Sequence, residues 1–316
     1  MKILANDGIS QSGIDALEQS GFEVLTTKVA QVQLVRFINE HNIVGLLVRS
    51  ATQVGKDIID GCKGLKLIGR GGVGMDNIAV AYAQQHGIHV INTPAASSES
   101  VAELVFAHLY GAARFLYDSN RNMPLDGDSK FKQLKKSYAK GTQLRGKTLG
   151  IIGLGKIGQA TARIALGVGM NVVYYDPAVD ECAVVLRFFD ERSFAFNLNS
   201  STKNEVLASA DFISVHVPPQ KNYVLGEAEF RQMKDGVGIV NTARGGVVDE
   251  VALVNALENK KVAFAGLDVF ESEPNPEIRI LMHPSISLTP HIGAATVEAQ
   301  ERIGLELANQ ITALLK

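Results

Sequence analysis

A glycine-rich turn between a strand and a helix constrains this chain more than any other feature of its sequence. Residues 149–152 are apolar, as in a parallel strand buried on both faces, and Gly153, Gly155 and Gly158 follow as Gly-x-Gly-x-x-Gly. The first glycine permits a tight turn, the second lets the backbone approach a pyrophosphate, and the third allows close helix–strand packing. The amides at the start of the next helix, predicted at 159–168, would bind that phosphate.

An acidic residue completes the pattern of a dinucleotide-binding unit. A second apolar run, residues 171–175, ends at Asp176, close to the spacing at which a carboxylate meets a ribose 2′-hydroxyl. Pro177 and Ala178 follow, so no adjacent arginine is present to accept a 2′-phosphate. Because a carboxylate repels that phosphate, the sequence predicts NAD rather than NADP as the cofactor.

The composition limits the class of protein. With 316 residues, of which 46% are hydrophobic, the chain can form about two domains. Its net charge of −2 gives no electrostatic reason to expect binding to nucleic acid or to an anionic membrane. No signal peptide or membrane span is recognisable, and Cys62 and Cys182 have neither metal-ligand nor disulfide spacing. We therefore expect a soluble cytoplasmic protein without a metal site.

Short apolar runs alternate with helical patterns on both sides of the glycine motif, which predicts α/β architecture with two doubly wound parallel-sheet domains and a cleft between them. The predicted substrate-binding domain is flavodoxin-like and comprises residues 1–93 and 291–316, because the last helix, 297–315, is expected to return to it. A Rossmann-type NAD domain, residues 94–290, is inserted.

Three smaller features carry local predictions. Ser100 and Glu103 have the spacing of a capping box, which predicts a helix start at that point. Residues 117–142 and 182–204 show no clear period and are interpreted as surface excursions.

Three residues with side chains suited to acid–base chemistry each follow a predicted strand: Arg244, Glu273 and His291. Oxidation of an alcohol needs a base for the hydroxyl proton, a cation for the oxyanion and substrate carboxylate, and a hydride acceptor. A histidine held by a carboxylate suits the first task and an arginine fork the second. Taken singly, each residue has an alternative interpretation: Arg244 as a surface cation, Glu273 as a turn residue and His291 as a loop histidine.

Together with the glycine motif, six further segments make the chain resemble the D-2-hydroxyacid dehydrogenase family over nearly its whole length. They are Arg-Ser-Ala-Thr at 49–52, Gly-Arg-Gly-Gly-Val-Gly-Met-Asp-Asn-Ile at 69–78, Asn-Thr-Pro at 92–94, Ala-Arg-Gly-Gly-Val-Val-Asp-Glu at 243–250, Leu-Asp-Val-Phe-x-x-Glu-Pro at 267–274 and Pro-His-Ile-Gly-Ala-Ala-Thr at 290–296.

The resemblance implies a role for each matching residue. Arg244 would orient the substrate, His291 would be the acid/base, and Glu273 would be its carboxylate partner. Asp268 would meet the nicotinamide carboxamide. The positions expected to contact NAD are Val73, Gly153, Gly155, Lys156, Ile157, Gly158, Asp176, Val217, Thr242, Ala243, Asp268, Gly293 and Ala294.

The first domain is predicted to bind the substrate's anionic groups. Gly72, Val73 and Gly74 form a loop whose free amides could hold a carboxylate. Arg49 with Ser50, and Arg70, lie at strand ends and could bind a second anion such as phosphate. The alternative is that both arginines are solvated surface residues.

Within the family the chain is most similar to the members that oxidise D-3-phosphoglycerate to 3-phosphohydroxypyruvate, the entry step of serine synthesis, and a homodimer is expected. A reductase of hydroxypyruvate, glyoxylate or another 2-keto acid is the first alternative. An NAD-sensing corepressor that binds peptides is the second, and the three filled catalytic positions argue against it. Because the sequence ends at Lys316, regulation by serine through an appended domain is not expected.

Overall fold

The apolar runs form two separate parallel sheets in the computed structural model, which describes residues 1–316. This confirms the α/β fold class with two doubly wound sheets. One unit of the chain contains residues 1–100 and 294–316, and the other contains residues 101–293. The predicted boundaries lie a few residues earlier at both junctions, and the assignment of substrate and NAD to separate domains stays a prediction.

The strands, in chain order, are β1 (Lys2–Ala5), β2 (Glu23–Leu25), β3 (Ile43–Val48), β4 (Leu67–Arg70), β5 (His89–Asn92), β6 (Thr148–Ile152), β7 (Asn171–Tyr175), β8 (Glu181–Arg187), β9 (Ser193–Asn199), β10 (Phe212–Val215), β11 (Val237–Asn241), β12 (Val262–Leu267) and β13 (Ile286–Leu288).

The helices are α1 (Gln11–Gln19), α2 (Leu34–His41), α3 (Lys56–Gly61), α4 (Val80–Gln85), α5 (Ser98–Ala113), α6 (Leu116–Asp126), α7 (Phe131–Ser137), α8 (Lys156–Gly167), α9 (Lys203–Ser209), α10 (Glu227–Gln232), α11 (Glu250–Glu258), α12 (Ile278–Leu281) and α13 (Val297–Leu315). None of them is both long enough and apolar enough to cross a membrane.

The sheet of the first unit has the strand order β2-β1-β3-β4-β5, which is the flavodoxin-like order. Successive side chains of a strand point to opposite faces, so Leu4 packs in one core while Ile3 and Ala5 pack in the core on the other face. The last helix, α13, belongs to this unit. It approaches α1 closely where Gly13 faces Gly304, since a Cβ at Gly13 would lie 2.8 Å from the Gly304 Cα.

The sheet of the second unit has the order β13-β12-β11-β10-β6-β7. The chain leaves β6 for β7 on one side and later continues to β10 on the other side. The position between β6 and β10 is therefore a topological switch point, where ligands of open α/β sheets bind. The strands end level with each other, because Ile152 pairs with Val215 and Val215 with Asn241.

The capping box predicted at Ser100 and Glu103 does not form in the structure. Helix α5 begins at Ser98, so Ser100 and Glu103 lie inside it and do not form a capping box. The Ser100 hydroxyl instead lies 2.8 Å from the Thr296 hydroxyl, a contact that sequence spacing could not reveal.

The two segments without period carry regular structure. Helices α6 and α7 occupy much of residues 117–142, and the hairpin β8–β9 occupies most of 182–204. Most of their side chains are exposed, as expected of surface segments. Because few of their residues enter a core, no apolar periodicity marks these elements in the sequence.

Candidate active site

The glycine motif forms the turn between β6 and α8, and each glycine meets a different requirement. Gly153 has φ +94°, a left-handed value that side chains rarely adopt. A Cβ at Gly158 would lie 2.2 Å from the Gly153 carbonyl oxygen, so only glycine allows this close packing. A Cβ at Gly155 would enter open space, which leaves room for a ligand against the backbone. Helix α8 begins at Lys156 rather than Gln159, so Lys156 and Ile157 form its first turn.

Asp176 follows β7 beside this turn. Its Oδ2 accepts a hydrogen bond from the Leu154 amide at 2.7 Å, and its Oδ1 accepts one from the Ala178 amide at 2.9 Å. The carboxylate is therefore held against the middle of the glycine-rich turn. In this position its remaining acceptor capacity suits the hydroxyls of a ribose.

Further predicted cofactor residues follow the strand ends of the same sheet. Val217 comes after β10, Thr242 and Ala243 come after β11, and Asp268 comes after β12. Two buried polar atoms at this edge have no hydrogen-bond partner in the protein, Thr242 Oγ1 and His216 Nδ1. Because buried polar groups are normally satisfied, these atoms fit an edge that receives a polar ligand such as a dinucleotide.

His216, directly after β10, has no charge to contribute. Burial lowers its pKa to about 3, so the ring is neutral at physiological pH. Its Nε2 lies 2.9 Å from the hydroxyl of Ser214, a fully buried residue of β10. A ring with this pKa does not exchange protons near neutral pH, which agrees with a structural role.

Glu273 and His291 meet in the second unit. His291 Nδ1 lies 2.8 Å from Glu273 Oε2, and Glu273 Oε1 accepts a hydrogen bond from the Phe270 amide at 3.0 Å. Both side chains are more than a third exposed, so the pair is accessible. His291 adopts φ +55°, which is uncommon for a residue with a side chain. The contact leaves the Nε2 atom of the ring available for another partner.

Arg244 lies in a turn that a neighbouring asparagine braces. Asn241 accepts a hydrogen bond from the Ala243 amide at 3.0 Å and donates one to the Arg244 carbonyl at 3.0 Å. The Arg244 guanidinium donates to the Ala243 carbonyl at 2.6 Å. Asn241 was not among the residues predicted from the sequence. Its place at the end of a buried strand, directly before Thr-Ala-Arg, is the signal that could have identified it.

Asp268 has an unexpected set of partners. Its Oδ1 accepts from the Thr289 hydroxyl at 2.6 Å and from the Ile292 amide at 2.8 Å, and its Oδ2 accepts from the Gly293 amide at 2.8 Å. The carboxylate therefore holds the loop that carries His291. A contact with the nicotinamide carboxamide stays a prediction.

In the first unit, the loop after β3 holds Arg49 and Ser50. Asp7 accepts hydrogen bonds from the Arg49 amide at 2.7 Å and from the Thr52 amide at 3.0 Å. The Asn77 side chain donates to the carbonyl of Arg49 and to the carbonyl of Thr52. The Arg49 guanidinium itself makes no hydrogen bond or ion pair in the structure. Asp7 and Asn77, which were not predicted as site residues, position this arginine.

The loop at Gly72, Val73 and Gly74 only partly matches the predicted anion site. The Gly72 amide donates to the Arg70 carbonyl at 2.9 Å, so it is not free as expected. The amides of Val73 and Gly74 have no partner. Arg70 lies across Gly72, since a Cβ at Gly72 would fall 1.8 Å from its guanidinium nitrogen. The turn between Arg70 and Gly72 therefore uses one of the three backbone amides that were predicted to bind an anion.

Comparison with known proteins agrees with this geometry. Residues 106–293 match the family model of the D-isomer specific 2-hydroxyacid dehydrogenase, NAD binding domain. The chain is 40% identical to hydroxypyruvate reductase from Thermotoga maritima, over 98% of this chain and 97% of that protein. It is 39% identical to D-3-phosphoglycerate dehydrogenase from Archaeoglobus fulgidus, over 100% of this chain but 58% of that protein, so it spans little more than half of that relative's length.

A solved structure is similar as well. The NAD⁺-bound 3-phosphoglycerate dehydrogenase of Entamoeba histolytica matches with a TM-score of 0.77 and 25% identity, over 100% of this chain and 95% of that one. Together with the end-to-end match to a curated relative, these findings assign the cofactor and the family. The chain belongs to the D-2-hydroxyacid dehydrogenases and is an NAD-dependent enzyme of that family.

Proposed function

We propose that this enzyme oxidises D-3-phosphoglycerate to 3-phosphohydroxypyruvate, the entry step of serine synthesis. The observation that carries the proposal is the Arg49 guanidinium, which has no partner in the protein although Asp7 and Asn77 brace its backbone. The nearby amides of Val73 and Gly74 are also unpaired. A guanidinium together with a pair of amides suits a substrate that carries two anionic groups, a phosphate and a carboxylate.

The proposed chemistry assigns one task to each catalytic residue. Glu273 accepts the Nδ1–H of His291, which fixes the ring tautomer and leaves Nε2 as the base for the substrate hydroxyl. Arg244 binds the carboxylate and the developing carbonyl oxygen. NAD, when bound, would supply the acceptor for the hydride of the substrate carbon. The turn at 153–158 would hold its pyrophosphate, and Asp176 its ribose.

A second candidate function has its own support. The hydroxypyruvate reductase from Thermotoga maritima matches this chain along almost the whole length of both proteins. A reductase of an unphosphorylated 2-keto acid would use the same His291, Glu273 and Arg244. It would not need Arg49 for a second anion, so this residue separates the two candidates.

Kinetics of wild-type enzyme and Arg49→Ala with two substrates tests the proposal. A hydrogen-bonded pair with a charged group contributes about 1.5–3 kcal/mol, or roughly 10- to 150-fold in affinity. We expect Arg49→Ala to raise KM for D-3-phosphoglycerate by about that factor and to change the kinetics with D-glycerate much less. Arg231→Ala, an exposed cation on helix α10, is the control for loss of charge. Equal losses on both substrates would favour the reductase.

The assembly and cellular location are also proposals. We expect a homodimer, because α6 and α7 carry large apolar side chains that are mostly exposed: Leu116 at 63%, Leu125 at 76% and Phe131 at 56%. Light scattering coupled to gel filtration would measure the mass. The cytoplasmic location expected from the sequence stays a prediction.

A further inference from the structure

A buried histidine of helix α5 is linked to the loop that carries His291. His108 is only 3% exposed, and its Nε2 lies 3.2 Å from the Thr289 hydroxyl. Thr289 donates to Asp268 Oδ1 at 2.6 Å, and Asp268 accepts the amides of Ile292 and Gly293, each at 2.8 Å. The chain of hydrogen bonds thus runs from α5 to the two residues that follow His291.

The direction of each hydrogen bond follows from counting hydrogens. The single hydroxyl hydrogen of Thr289 is donated to Asp268, so the Thr289 oxygen can only accept from His108 Nε2–H. Burial lowers the pKa of His108, against a smaller opposing effect of the Asp268 charge, so the ring is neutral at physiological pH. Its Nδ1 then accepts from the Ser287 hydroxyl at 2.9 Å. Nε2–H is therefore the donor toward the loop.

Two glycines leave the space that this chain occupies. A Cβ at Gly266 would lie 2.7 Å from the His108 Cβ, and a Cβ at Gly293 would lie 3.1 Å from Asp268 Oδ2. The loop also needs support, because His291 is held at φ +55°, a conformation that persists only where the surroundings stabilise it. Asp268 binds the two amides directly after this residue.

We propose that His108 is a positioning residue: through Thr289 and Asp268 it holds the loop in the conformation that brings His291 to Glu273. His108 does not touch the substrate, and the inference rests on the proposed role of His291 as acid/base. A misplacement of a catalytic group by about 1 Å can cost roughly 100-fold in rate.

Three substitutions of His108 separate positioning from packing. In His108→Gln the amide N–H can replace Nε2–H toward Thr289. In His108→Asn the shorter side chain reaches only toward Ser287, and His108→Leu has no donor. We expect Gln to stay within about 3-fold of wild-type kcat, and Asn and Leu to fall about 10- to 100-fold.

A second pair of variants keeps the test valid if a His108 variant folds poorly. Thr289→Ser retains the hydroxyl link and Thr289→Val removes it, so only Val should lower kcat. Ser287→Ala is the matched control, because it removes a hydrogen bond to the same imidazole on the side away from the loop. Urea unfolding of each variant identifies losses that come from stability alone.

The outcomes are distinct. Wild-type kcat in folded His108→Leu and Thr289→Val, or equal losses in the Gln, Asn and Leu variants, would overturn the positioning role. His291→Ala is measured in parallel. If it keeps near-normal turnover, the proposed function fails; if it is inactive while the His108 series stays flat, only this inference fails.

Discussion

Glycine-to-alanine substitutions at Gly155 and Gly158 are expected to have different effects, although the two residues belong to one turn. A Cβ at Gly155 meets no atom of the protein, and the backbone there has φ −67°, which alanine adopts readily. Gly155→Ala should therefore leave the free energy of unfolding unchanged but weaken NAD binding about 10-fold or more, because the new methyl group occupies the space of the pyrophosphate.

Gly158→Ala should instead destabilise the fold, since its Cβ would lie 2.2 Å from a backbone oxygen that cannot move aside easily. Overpacking of this kind costs about 1–3 kcal/mol. Urea unfolding and NAD titration of both variants provide the measurement. Normal NAD affinity in Gly155→Ala would show that the phosphate does not bind at this turn.

At the scale of elements, helix α9 illustrates how a short helix is held by its first turn. The Thr202 hydroxyl accepts from the Glu205 amide at 3.2 Å, and Glu205 Oε2 accepts from the Thr202 amide at 2.8 Å, which is a complete capping box. The helix buries Val206 and Leu207 against the sheet of the second unit. The cap therefore supports the same core that supports the glycine-rich turn.

Thr202→Ala is expected to lower the free energy of unfolding by about 1 kcal/mol, the usual contribution of such a cap. Hydrogen bonds from Thr202 lower the pKa of Glu205 below its ordinary 4.5, and one of them comes from the hydroxyl that the variant lacks, at 2.8 Å. That part of the contribution is present above pH 4.5 and is lost as the pH falls through the lowered pKa, whereas the hydrogen bond from the Glu205 amide to the hydroxyl does not titrate. The difference between wild type and variant should thus narrow in acid without vanishing. Ser209→Ala, at the other end of the helix, is the control, and a pH-independent difference would contradict the account.

At the scale of the whole molecule, the two cysteines report on different units. Cys62 in the first unit is 1% exposed, and burial raises the pKa of its thiol to about 11. At pH 8 only about one such thiol in a thousand is ionised, so it should react with Ellman's reagent only when the unit opens. Cys182 in the second unit is half-buried and should react first.

One thiol per chain is therefore expected to react rapidly in native buffer and two in denaturant. The slow phase should accelerate with urea, and its rate would measure the opening free energy of the first unit. Cys182→Ser removes the fast phase and serves as the control. Rapid reaction of both thiols in native buffer would contradict the burial of Cys62.

The features predicted correctly from the sequence are those decided over short stretches of chain. The glycine spacing predicted the turn, because left-handed φ and close backbone contact are properties of a few consecutive residues. The alternation of apolar runs and helical patterns predicted both sheets, and ordered motifs over nearly the whole chain predicted the family. Segments whose side chains face solvent, such as the hairpin β8–β9, lacked any such pattern.

Partners far apart in sequence were decided only by the tertiary structure. The partners of Asp268 within the protein, Thr289, Ile292 and Gly293, were not predicted from the sequence. The Gly72 amide was predicted to be free, yet it closes a turn with Arg70. His108 had no apparent role until Thr289 was placed beside it. A buried polar group must find a partner, but which one it finds depends on which elements pack together, and periodicity within a segment carries no information about that choice.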